Sequence, residues 1–345
     1  MIKPATRRAL LIRGTIGTVV TCLFFAVLWR YIDLQRISEL YASANWSLIG
    51  LAFLIFFALY ISRSRRFAAV APQTSGGTML AITCVHNFLL RLVPMRMGDL
   101  SFAFLVRRAG TSGLAEGILS LVLIRLLDGL IVIVIFSVTL ALNHAVYRAD
   151  PLPSQIGACV VFVLGVLAII FFKRLTHLGL RILQGTLSLL GVKRSNRLRS
   201  AVDKLGEAIA AFDKLRAPVL VVLCTTTVIQ WILTFALAYV LLRAFHVEVT
   251  VAQAILGTTA SIVSGFLPIG GIGSFGALEA GWTLGFTLVG LSPTVAVATA
   301  FGYSLSTLAF AAILGVVGWL ALSSIERRRL ATKGPQPSPE DPDRG

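Results

Sequence analysis

A chain of 345 residues that is 57% hydrophobic and only 13% charged, with a mean hydropathy of +0.87, has too much apolar surface for a soluble domain. It reads as an all-α polytopic membrane protein. The net charge of +16 could suit nucleic acid. However, Lys and Arg are partitioned by membrane side rather than gathered in one stripe beside aromatic residues, which argues against a nucleic-acid partner.

Cys22, Cys84, Cys159 and Cys224 lie in separate apolar segments, with no C-x-x-C and no loop pair that could close a disulfide. His86, His144, His177 and His246 have no partner at i+3 or i+4. No metal and no cofactor is expected.

In chain order, Lys3, Arg7, Arg8 and Arg13 accompany an apolar run from Ile12 to Trp29. The small residues Ala42, Ser43 and Ala44 lie too far beyond it for signal cleavage, so the run is expected to stay as a first transmembrane helix. A second span, Trp46 to Ser62, ends in Arg63, Arg65 and Arg66, which places 1–11 and 63–78 in the cytoplasm. An interrupted segment follows, Met79 to Val106, with Pro94, Gly98 and Asp99 at its break and Arg107 and Arg108 closing it. Further spans are expected at Leu114 to Leu142, Ile156 to Phe172 and Pro218 to Leu242. Between the last two, 173–217 carries Leu198, Val202, Leu205, Ile209, Phe212 and Leu215 at three- and four-residue steps among many basic residues. That pattern reads as an amphipathic helix on the anionic cytoplasmic leaflet.

The second interrupted segment runs from Val251 to Gly290. Its apolar legs, Val251 to Leu267 and Phe275 to Gly290, fall short of the roughly 20 residues that cross a bilayer as helix. Between them Pro268 removes a backbone donor, and Gly270, Gly271 and Gly273 permit φ > 0, so continuous helix is excluded. Exposed backbone is tolerated at membrane depth only inside protein or along a watery cavity, and paired broken segments mark transport sites. The alternative is a surface loop between two tilted helices, giving eight full spans in place of about six spans and two oppositely oriented re-entrant hairpins. A last span, Thr294 to Leu322, leads into Glu326, Arg327, Arg328, Arg329 and Lys333. One membrane domain, 1–330, thus precedes a Pro-rich tail at 331–345 that should be disordered, and both termini are cytoplasmic.

Charges inside a membrane cost about 2.5–3.5 kcal/mol each at mid-span and are functional by default. Arg125 and Asp128 stand at i and i+3 on one helix face, either as a self-compensating ion pair or as part of a site. Arg91 lies on the entering leg of the first broken segment, and Arg96 and Asp99 lie at its break. A guanidinium fork suits phosphate, although Arg96 could equally snorkel to the interface. Glu279 is the only acid of the second broken segment, either a proton or cation site or a cap for the glycine loop. Ala277, Gly281 and Gly285 form a small-residue ridge of the kind that lets helices approach closely.

These residues carry a resemblance. VPMRMGD, then SLVLIRLLDGL, then LPIGGIGS with a downstream Glu resembles the lysylphosphatidylglycerol synthase transmembrane-region family, also called the flippase-like domain family, over roughly residues 10–325. By that resemblance Pro94, Arg96, Gly98 and Asp99 match the first motif, Arg125 and Asp128 the second, and Pro268, Gly270, Gly271, Gly273 and Glu279 the third. Asp99 stands where Glu is commoner, and Glu279 comes later than the acid of many members. The resemblance implies movement of a lipid or lipid-linked head group across the cytoplasmic membrane. The soluble synthase domain carried by some members is not expected in this chain, since its longest extramembrane stretch, 173–217, is too short for a catalytic domain.

Four functions compete: a lipid translocase, a membrane-embedded lipid enzyme, a transporter of a small anionic solute, and an accessory subunit of lipid biosynthesis. No nucleophile–base pair supports the enzyme, and no G-x-x-x-x-G-K-[ST] supports ATP-driven transport. The expected partners are membrane lipids, anionic or phosphate-bearing, with a homo-oligomer or a biosynthetic partner left open.

Overall fold

The computed structural model describes residues 34–70, 74–92, 99–108, 114–142, 217–265 and 276–332, with isolated positions at 174, 178 and 182. The expected spans at 12–29 and 156–172, the amphipathic segment up to 216 and the tail from 333 lie outside the described residues. All described elements are helices: α1 (Leu34–Ala42), α2 (Trp46–Val70), α3 (Gly76–Leu92), α4 (Asp99–Arg108), α5 (Leu114–Leu142), α6 (Ala217–Ala244), α7 (Val251–Gly265), α8 (Ala277–Leu288) and α9 (Pro293–Thr332). Among them α2, α6 and the stretch Pro293–Ile325 of α9 are long and apolar enough to cross a membrane. The protein is therefore an all-helical polytopic membrane protein.

Two helices run past the ends that apolarity suggested. α2 continues from Ser62 to Val70, and α9 continues from Leu322 to Thr332. In both, Arg and Ala sustain helix after the apolar run has ended, because helix propensity and hydropathy are different properties. The extension of α2 has a structural consequence. Arg66, expected in the cytoplasmic flank, is buried together with Phe67.

α2 and α6 pack antiparallel. The Asn45 amide donates to the Ala244 carbonyl at one end (2.9 Å), and the Ser62 hydroxyl donates to the Thr226 carbonyl near the other (2.9 Å). Their seam joins α3 and α9 through Phe56, Leu59, Tyr60, Leu241 and Phe310.

Both interrupted segments are helix pairs. α3 and α4 run antiparallel, with His86 bonded to Ser101 (2.9 Å) and Met79, Ile82, Phe102 and Val106 in one cluster. α7 and α8 are closer still, because the small-residue ridge permits it. A Cβ on Gly281 would come 2.7 Å from the Ala260 carbonyl oxygen, and one on Gly285 would strike the Gly257 carbonyl oxygen and sit 2.7 Å from the Ala260 Cβ. At 15 and 12 residues, α7 and α8 extend about 22 and 18 Å at 1.5 Å per residue. Neither spans the ~30 Å of a hydrocarbon core.

The long helix α9 fixes how the hairpins relate. Going toward its break, the first hairpin meets α9 at progressively lower numbers: Cys84 against Gly318, Phe88 against Gly315, and Arg91 bonded to Thr307. The second leaves its break in the opposite sense, with Glu279 bonded to Ser304 and Trp282 to Thr299. The two hairpins therefore approach from opposite ends of α9. Their break-side ends meet it one turn apart, near the middle of its apolar stretch.

Candidate functional site

α8 starts abruptly. Gly276 has φ 112°, a conformation that favours glycine, and its N–H donates to the Glu279 carboxylate (2.6 Å), the acid reaching back over the first turn as in a capping box. The other Glu279 oxygen accepts a hydrogen bond from the Ser304 hydroxyl, and Glu279 is buried. The carboxylate therefore caps its own helix and also ties the break-side end of the second hairpin to α9.

One turn further along α9, Thr307 accepts a hydrogen bond from Arg91 (3.0 Å) at the break-side end of α3. Trp282 stacks on Tyr303 at 4.5 Å and closes the layer beneath. Arg91 and Glu279, some 190 residues apart in the chain, thus attach to neighbouring turns of one helix. No periodicity within either segment specifies that meeting.

Beside this layer is a buried ion pair. Both terminal nitrogens of Arg66 donate to Asp128: Nη1 to Oδ1, and Nη2 to Oδ2 at 3.4 Å. Nη1 also lies 3.3 Å from the Thr227 hydroxyl. The fork clamps α2, α5 and α6 at one point. Asp128 thus has as its partner Arg66, 62 positions earlier in the chain, in place of the i−3 neighbour Arg125 that helix geometry offered. Arg125 is partly buried on α5 and within electrostatic reach of Arg63.

Of the other residues singled out in the sequence, Asp99 opens α4, while Pro94, Arg96, Gly98, Pro268, Gly270, Gly271 and Gly273 lie outside the described residues.

Three residues were missed. Arg63 donates to the Asn87 side chain on α3, Tyr60 is fully buried one turn earlier on α2, and Arg66 follows Arg63. A usable signal existed: Phe56, Tyr60, Arg63 and Phe67 keep three- and four-residue spacing straight through the arginines, as a helix still burying one face would. The described interior then holds Arg63, Arg66, Arg91 and Arg125 against Asp128 and Glu279. Asp128 is taken by Arg66 and Glu279 by neutral donors, and among the described residues neither Arg63 nor Arg91 has a carboxylate within ion-pair distance.

The family model described as "Lysylphosphatidylglycerol synthase TM region" matches residues 14–315. Comparison with curated proteins gives no match. With the match covering nearly the whole helical assembly, the chain belongs to the lysylphosphatidylglycerol synthase transmembrane-region family.

Proposed function

We propose that the protein is a lipid translocase of the cytoplasmic membrane, moving a phosphate-bearing lipid or lipid-linked head group between leaflets without ATP. One observation carries this reading: two hairpins reach the middle of α9 from opposite ends and attach there through Arg91 and Glu279. At 15 and 12 residues, α7 and α8 are each shorter than a bilayer-crossing helix, and re-entrant hairpins of this kind are tolerated where protein or a watery cavity surrounds them. Opposed hairpins meeting at mid-depth form a site that small rocking movements open to either face. The surplus of arginine suits a head-group phosphate, with Arg91, Arg96 and Arg125 as its ligands. Asp99, the first residue of α4, is a further candidate member of the site, while Glu279 anchors the second hairpin and Asp128 holds Arg66. Membership of a family associated with modified lipids supports the same reading.

The experiment is exchange of fluorescent phosphatidylglycerol in liposomes containing only the purified protein and no nucleotide. Bleaching by an impermeant reductant should proceed past the outer-leaflet share. Kinetics identical to those of protein-free liposomes would overturn the proposal and leave an accessory role.

The proposed orientation has both termini cytoplasmic and the α6–α7 connection outside. A cysteine at the exposed position Glu248, on a background without native cysteines, should react with an impermeant maleimide in intact cells. Reaction only after permeabilisation would invert the topology.

A further inference from the structure

Tyr60 is fully buried, yet its phenol oxygen has no hydrogen-bond partner. Buried hydroxyls are nearly always bonded, so an orphan in a packed region needs a reason. Packing there is good: the Tyr60 ring lies 4.8 Å from Phe56, and both belong to the core shared by α2, α3, α6 and α9. Over this aromatic pair lie two guanidiniums, Arg63 at 5.9 Å from the Tyr60 centroid and Arg91 at 5.9 Å from the Phe56 centroid. Arg63 donates to Asn87 and Arg91 to Thr307, both neutral, and among the described residues neither arginine has a carboxylate within ion-pair distance. Both lie within electrostatic reach of the Tyr60 phenol and of Tyr303. Glu279 is close enough to feel Arg91, but its oxygens are engaged by Ser304 and Gly276.

Two guanidiniums lie over one aromatic pair with no carboxylate among the described residues within ion-pair distance of either, and their charge is felt more strongly in a low dielectric than in water. Each guanidinium carries five N–H donors, of which one is seen bonded to a neutral partner, and the phenolic O–H has no partner in the protein. A donor-rich cluster of net positive charge is complementary to a tetrahedral oxyanion, and the planar forks favour paired oxygens. We propose that Tyr60, Arg63 and Arg91 form a binding site for a phosphate-type oxyanion, the phosphodiester of an anionic lipid head group when the protein works in the membrane. The head-group role rests on the translocase reading above, whereas the anion site itself does not.

The discriminating variant is Tyr60→Phe, which removes only an unpartnered oxygen and keeps the ring. Its melting temperature without ligand should equal or exceed that of the wild type, because no hydrogen bond within the protein is lost. Arg63→Gln and Arg91→Gln accompany it. In detergent, the melting temperature is followed with dihexanoyl phosphatidylglycerol and with inorganic phosphate. In liposomes, exchange of fluorescent phosphatidylglycerol is compared with that of phosphatidylcholine, whose net charge is zero.

The short-chain anionic lipid should stabilise the wild type, and each arginine variant should weaken its binding about tenfold, as loss of one charge-assisted hydrogen bond does. Tyr60→Phe should weaken binding severalfold and slow phosphatidylglycerol exchange in parallel. Equal stabilisation by inorganic phosphate would keep the site and assign it to a free phosphate. No stabilisation of the wild type by either anion, or an unchanged response in Tyr60→Phe and both arginine variants, would overturn the site. If wild-type protein exchanges both lipids equally and Tyr60→Phe does not alter this, the translocase survives without the site. If it exchanges neither while anion-dependent stabilisation is present and lost in the variants, the site survives without the translocase.

Discussion

Replacing Arg66 by leucine is expected to destabilise the protein by about 3–5 kcal/mol, because it strands the buried Asp128 carboxylate among α2, α5 and α6. Asp128→Leu should cost as much by stranding the guanidinium. The double replacement Arg66→Leu with Asp128→Leu removes both charges and should recover most of the loss, leaving a coupling of several kcal/mol in the cycle. Thermal or denaturant unfolding in detergent measures it. A double variant as unstable as either single one would show that the residues do not act as a pair. The contrasting variant is Arg125→Leu with Asp128→Leu, designed on helix spacing alone. It leaves Arg66 without its acid and should stay at least as unstable as Asp128→Leu.

Gly285→Leu should abolish lipid exchange and lower the melting temperature sharply, since even the first carbon of the new side chain strikes the Gly257 carbonyl. Backbone in a neighbouring helix cannot rotate away as a side-chain tip can. Gly285→Ala alone should cost about 1–3 kcal/mol, the usual effect of overpacking. Gly50→Ala provides the control: Gly50 lies in α2 with nothing within 4 Å of an added Cβ, so alanine there should be neutral or stabilising by up to ~1 kcal/mol. Equal melting temperatures for the Gly50 and Gly285 alanine variants would mean that α7 and α8 do not make this close contact.

The glycine ridge shows how far the sequence reached. Ala277, Gly281 and Gly285 stand at i, i+4 and i+8, and a helix with that spacing has one flat face wherever it lies. The contact against Gly257, Ala260 and Ser264 fills in the partner. The division of each interrupted segment into two helices was equally legible, since α3 packs on α4 and α7 on α8, while the prolines and glycines expected to cause it lie outside the described residues. Glu279 was half legible: an acid in the first turn of a helix suggests a cap, but Ser304 as its second partner lies on another element.

Features set within a few residues along the chain could be read directly: the helical class, the apolar spans at α2, α6 and α9, the pairing of short helices and the face that needs a close neighbour. Only the tertiary structure decided that Asp128 belongs to Arg66 and that Arg91 and Glu279 meet one turn apart on α9. It also decided that Arg63 and Tyr60 face the interior. The reason is physical. Helix geometry fixes spacing and face for each segment separately, whereas the rotation and depth at which segments pack are set by side chains far apart in sequence. A run such as Arg63, Arg65 and Arg66 reads as a cytoplasmic flank until α5 and α6 supply Asp128 and Thr227 to bury its last member.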